Sequence, residues 1–168
     1  MMNDEPSGYG FCSSFILQHS SFQARAYNRR MKRILLSFVA GFLATLIFHQ
    51  LALFALHAAG ITPRAPFNMD PTKPFGVPSV VSLAFWGGVW GIIMIPAIAR
   101  LRGASYYLAA AVFGAVLPTL VAAFVVAPIK GVKMPMTGTN VATGLIVNAA
   151  WGLGTALIYR LSARSVSS

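Results

Sequence analysis

Polar side chains are few inside the otherwise apolar segments, and His49, Gln50, Thr119 and Asn148 stand out among them. At about 1.5 Å rise per helical residue, His49 lies roughly 12 Å inside the outer end of its segment, near His57, and Asn148 roughly 12 Å from the start of its own at Asn140. Gln50 and Thr119 fall at a similar depth. Their positions predict one polar layer in the outer half of a helical bundle, centred on His49 and Asn148. An ionisable group at that depth is a functional candidate by default, and histidine titrates near neutral pH. Two readings follow. A neutral His49, hydrogen-bonded to Asn148 or to a backbone carbonyl, would hold helices in register. Alternatively, the layer would handle a proton or a ligand.

Other chemistries lack their residue sets. The spans contain no carboxylate, so carboxylate proton relays and sodium sites are not expected. There is no Ser-His-Asp constellation, no phosphate loop and no metal-ligand cluster. A bis-histidine haem needs histidines on facing helices, whereas His49 and His57 share one. The single Cys12 excludes an intramolecular disulfide. Asp70, in Asn68-Met69-Asp70-Pro71, is the one acidic group outside the N-terminal tail and reads as a turn former. No catalytic residue, metal or cofactor is expected, and the protein is read as a non-enzyme.

The elements holding these residues are apolar stretches at about 34–58, 79–99, 104–127 and 140–159. None carries an Asp, Glu, Lys or Arg. Each is long enough to cross a bilayer, and only 10% of the 168 residues are charged, against about 25% in soluble domains. Backbone groups in lipid must be satisfied within the segment, which predicts helices. The expected fold is an all-α membrane bundle of four transmembrane helices over residues 31–161. Short connections make neighbouring helices antiparallel. One is a tight turn at Arg100-Leu101-Arg102-Gly103. The longest, 60–78, holds five prolines and should be an extended or turn-rich outer loop. Residues 1–30 read as a flexible cytoplasmic tail and 162–168 as a short one. Met31-Lys32-Arg33 before the first apolar run also reads as a translation start, with residues 1–30 an extension. A cleaved signal peptide is disfavoured, because the apolar run exceeds the usual 7–15 residues.

Of the 13 basic residues, nine (Arg25, Arg29, Arg30, Lys32, Arg33, Arg100, Arg102, Arg160, Arg164) flank one side and four (Arg64, Lys73, Lys130, Lys133) the other. The positive-inside rule then puts both termini in the cytoplasm, in a bacterial inner membrane. The net charge of +10 points to anionic lipid headgroups at that face rather than to nucleic acid.

Small residues recur at four-residue spacing in every span: Gly41, Gly87, Gly91, Gly114, Gly144 and Gly152 are the expected packing positions. Small faces let helices approach closely in lipid. Trp90 and Trp151 lie near mid-span beside glycines, which suggests ring-against-gap packing. A faint repeat aligns 79–91 with 140–152, matching Ser82 with Thr143, Trp90 with Trp151 and Gly91 with Gly152. The leading expectation is a small packing or accessory subunit, homo-oligomeric or within a larger membrane complex. A small transporter or channel using the His49/Asn148 layer is the alternative, and a cofactor-binding or enzymatic subunit a third.

Overall fold

The structure is a computed structural model. It describes the backbone of residues 9–72, 75–129, 131 and 137–165, and the side chains of these from residue 23 onward except 24 and 26. Lys73, Lys130 and Lys133, which enter the charge argument, and the Cys12 side chain lie outside the described set. The chain divides into two compact units, 1–34 and 35–168.

In the first unit the backbone is helical from Tyr9, where a flexible tail was expected. Between Phe11 and Ala40 there is neither proline nor glycine to end a helix. Helix α1 is Tyr9–Ala44. Every described side chain of residues 23–34 is exposed.

The second unit holds the bundle. After α1 the chain passes through a π-helical turn, Thr45–His49, and continues as α2, Gln50–Ala58. Then come two two-residue strands, β1 Pro71–Thr72 and β2 Val77–Pro78, and α3, Ser79–Ile98. Helix α4, Gly103–Val121, runs through a second π-helical turn, Ala122–Val126, into α5, Ala127–Ile129. Helix α6 is Gly138–Ser165. Four segments are long and apolar enough to cross a membrane: Tyr27–Ala58, Ser79–Ile98, Gly103–Ile129 and Gly138–Ser165. The last two run longer than the sequence alone suggested: the third reaches Ile129, and α6 continues through Arg160.

Glycines set the packing of these spans. A Cβ on Gly41 would collide with the Gly87 carbonyl, and one on Gly91 with the Ser37 carbonyl. These pairs descend on one helix as they ascend on the other, so the first two spans are antiparallel. Gly114 lies against the Asn148 carbonyl and Gly152 against the Ala110 carbonyl, and the Tyr106 hydroxyl donates to the Ala156 carbonyl at 3.3 Å. The third and fourth spans are therefore antiparallel too. Such backbone contact supplies dispersion where lipid provides no hydrophobic drive. Gly144 differs from the other expected packing positions: its nearest neighbour is the Thr119 methyl, 3.3 Å from where a Cβ would sit.

One carbonyl ties the first span to the fourth. The Gly41 oxygen accepts the Trp151 indole N–H at 3.0 Å and the Thr45 hydroxyl at 2.9 Å. A hydroxyl bonded four residues back competes with the helical ladder, and the first π turn starts at that threonine. The second π turn begins four residues after Pro118, which has no N–H to donate. Below these turns a buried cluster of Ala44, Met94, Ile95, Ile98, Tyr106, Ala110, Trp151 and Ala156 fills the half of the bundle nearer the 99–103 turn.

That turn closes tightly, with the Leu101 amide donating to the Ile98 carbonyl at 3.0 Å and Gly103 at φ +59°, a conformation that glycine adopts without a Cβ penalty. The 59–78 connection is ordered by local bonds. His57 Nδ1–H donates to the Thr62 carbonyl at 3.0 Å, the Asn68 carboxamide oxygen accepts the Asp70 amide at 2.6 Å, and the Asp70 carbonyl accepts the Ser79 amide at 2.9 Å. The prolines stiffen this connection, and β1 pairs antiparallel with β2 across it.

Candidate functional site

At the end of the bundle carrying the 59–78 connection, all four spans line a half-enclosed cavity of about 1000 Å³. This volume is at the upper end of ligand pockets. The walls are chiefly apolar side chains of α3, of the third span beyond Val116 and of the first half of α6.

The cavity exists because the third span leaves the bundle at its upper end. Among the described residues, the segment 122–129 makes no backbone approach to another span, although 103–121 packs along α6. The apolar window of this span is only 11% buried, against 39% for each of the other three. Aromatic contact between Trp90 and Phe113, with ring centroids 6.1 Å apart, keeps the second and third spans together lower down. Above that contact the cavity separates the two spans.

Both π-helical turns of the described chain border this space: Thr45 and His49 from the first, and residues 122–126 from the second. A π turn widens the backbone ladder and leaves local hydrogen bonding less regular. Such turns are costly and cluster at functional sites.

The four sequence-predicted polar residues separate into two roles. His49, Thr119 and Asn148 all line the cavity. His49 and Asn148 are not bonded to each other, so the expected His49–Asn148 link does not form. Asn148 instead donates its amide to the Thr119 hydroxyl at 2.9 Å, joining α6 to α4. Gln50 is buried behind the wall. Its carboxamide oxygen accepts the Phe67 amide at 2.8 Å, and its nitrogen stands 3.5 Å from His49 Nδ1. An amide nitrogen only donates, so this long contact casts Nδ1 as the acceptor.

Sequence reasoning did not single out several other polar groups that line the cavity as site residues, among them Thr45, Arg64, Ser82 and Thr143. A signal for two of them was present, because Ser82 and Thr143 are a matched pair of the faint repeat. Trp90 and Trp151, another matched pair, line the same cavity with Trp86. The three tryptophans of the chain thus border one space. Trp151 is buried and bonded, Trp90 is half-buried, and Trp86 is exposed. Thr143 is 1% exposed, and its hydroxyl has no hydrogen-bond partner among the described residues.

The electrostatics are simple. Among the described residues, Arg64, at the mouth, is the one charged residue of the lining, and no carboxylate is part of it. Asn68, also at the mouth, turns its amide toward the Asp70 carboxylate at 3.0 Å. Among the described residues no three His, Cys, Asp or Glu side chains converge as metal ligands.

No family model matches the chain, and no curated protein or solved structure shows significant similarity to it.

Proposed function

We propose that this chain is a small multi-pass membrane protein without catalysis of its own, which binds one amphipathic molecule in the cavity between its spans. The molecule enters sideways from the bilayer, through the gap between the second and third spans. The observation that carries this reading is that His49, Thr119 and Asn148 border a single open, mainly apolar space flanked by both π-helical turns. A subunit devoted to packing would have those groups sealed and its small faces turned to lipid. Here Gly41, Gly87, Gly91, Gly114 and Gly152 are buried within the chain.

The site favours binding over conduction. The buried cluster around Met94, Tyr106 and Trp151 closes the other half of the bundle, so the cavity is blind, and carriage across the bilayer would require a second state. The charge distribution supports an orientation with both termini in the cytoplasm and the 59–78 connection outside, in a bacterial inner membrane. The basic cytoplasmic edge then lies against anionic lipid headgroups.

A second reading rests on the third span. Its low burial favours a protein neighbour along that face, as a homo-oligomer or within a larger membrane complex. The two readings are compatible if the neighbour leaves the lateral gap open.

Tryptophan fluorescence tests the proposal directly, because all three indoles border the cavity. In nanodiscs of unlabelled lipid, a brominated single-chain amphiphile should quench in a saturable way. Ser82→Phe, which fills the cavity, should abolish the saturable component. Quenching that rises linearly with quencher and ignores Ser82→Phe would refute the reading.

A further inference from the structure

The cavity is asymmetric along its length, and this asymmetry bears on the ligand's head. Toward the middle of the bundle the apolar faces of Trp86, Trp90 and Val116 stand beside polar groups that carry no fixed charge, among them Thr45, His49, Thr119 and Asn148. At the mouth stand Arg64, Asn68, Thr72 and Ser79. Of these only Arg64 carries charge. Its backbone amide donates to the Thr62 hydroxyl at 3.4 Å, but its guanidinium has no carboxylate partner among the described residues. Asp70, the acidic group nearest in sequence, already receives the Asn68 amide and does not line the cavity.

The backbone that carries Arg64 is held in place by its surroundings. On one side, Thr62 is buried and its carbonyl accepts the His57 ring N–H. On the other, the Phe67 amide is bonded to the buried Gln50. The connection carrying Arg64 is therefore anchored on both sides of it, and the planar guanidinium fork is suited to a carboxylate or phosphate.

Resting on the binding reading above, we propose that the ligand is an anionic amphiphile. A carboxylate or phosphate head pairs with Arg64 at the cavity mouth, and an apolar tail lies along Trp86 and Trp90 toward the gap between the second and third spans. The head stays at the water interface, where a charge is cheap, while the tail fills the apolar part. His49, Thr119 and Asn148 then meet the tail or water that accompanies it, not the head. This assigns the specificity of the site to a loop residue instead of the intramembrane polar layer.

The test compares three brominated probes by tryptophan quenching on the full chain in neutral nanodiscs: a fatty acid, its methyl ester, and a two-chain anionic phospholipid. The fatty acid should bind roughly tenfold tighter than its ester, the scale of a charge-assisted hydrogen bond. Arg64→Gln should remove that preference, Arg64→Lys should keep part of it, and Arg100→Gln at the opposite end should leave it unchanged. Saturable quenching by the phospholipid, equally sensitive to Arg64→Gln, identifies a lipid headgroup as the source of the anion; saturation by the acid alone identifies a free single-chain acid. Equal binding of acid and ester, or a preference that survives Arg64→Gln, overturns the anionic head while leaving the binding reading intact. No saturable quenching by any probe overturns both. Arg64 is exposed, so its replacement does not touch the packed bundle.

Discussion

The buried Gln50 side chain accepts the Phe67 backbone amide at 2.8 Å, across 17 residues of sequence. Phe67 is the one described non-glycine residue at positive φ, at 51°. A bulky residue there is strained, at a cost of order 1–3 kcal/mol. A buried carboxamide that would otherwise lack a partner offsets that strain. The bond joins the span carrying His49 to the connection carrying Arg64, and so fixes the cavity mouth relative to its wall.

Gln50→Leu should release this connection while leaving the spans in place. With the amide freed, hydrogen exchange at Phe67 should accelerate about tenfold, as expected for loss of roughly 1.4 kcal/mol of local stability. Exchange in α3 and α6 should be unaffected. Unchanged protection at Phe67 would show that the bond does not hold the connection.

The six glycines singled out for packing should not respond alike. Gly41→Ala and Gly152→Ala place a Cβ against backbone carbonyls that cannot move aside, and each should cost about 1–3 kcal/mol, as overpacking does. Gly144→Ala meets only a threonine methyl and should be milder. Gly138→Ala, with open space around it, should stay within about 0.5 kcal/mol. Thermal unfolding in one detergent ranks all four, and a flat series would mean the spans do not pack by backbone approach.

Thr143 and Thr155 should behave in opposite ways on replacement by valine. The Thr155 hydroxyl donates to the Trp151 carbonyl at 2.9 Å, so its loss should cost up to about 1 kcal/mol. The Thr143 hydroxyl is buried without a partner among the described residues, so Thr143→Val should be neutral or stabilising by up to about 1 kcal/mol. If ligand occupancy engages that hydroxyl, Thr143→Val stabilises the empty protein yet weakens the saturable quenching.

Orientation is checked with a membrane-impermeant thiol reagent on a chain whose Cys12 is replaced by serine. Phe75→Cys, on an exposed residue of the 59–78 connection, should label in intact cells. Leu101→Cys, in the turn between α3 and α4, should label only after permeabilisation. The reverse pattern would invert the topology drawn from nine basic residues against four.

Much of this architecture was legible from charge and hydropathy, because the bilayer imposes one strong rule: a charge-free stretch of about twenty residues must satisfy its own backbone. Hence the four spans, the tight turn at Gly103 and the depth of the polar residues could be read directly. Depth is one-dimensional, though, and a helix also rotates. Gln50 and His49 share a depth, yet Gln50 faces the 59–78 connection and His49 the cavity. Asn148 found Thr119 rather than His49, because α6 packs closely along α4 through Gly114 and Gly152.

Local composition against a uniform solvent is enough to read the apolar helical class, the number of long apolar segments and the small faces that bring helices together. It took the folded arrangement to show that the upper third span stands apart, that two π-helical turns border the resulting gap, and that Arg64 is the charge at its mouth. Those features depend on contacts across the bundle, such as the Trp151 indole on the Gly41 carbonyl, and no periodicity within a single span encodes that choice.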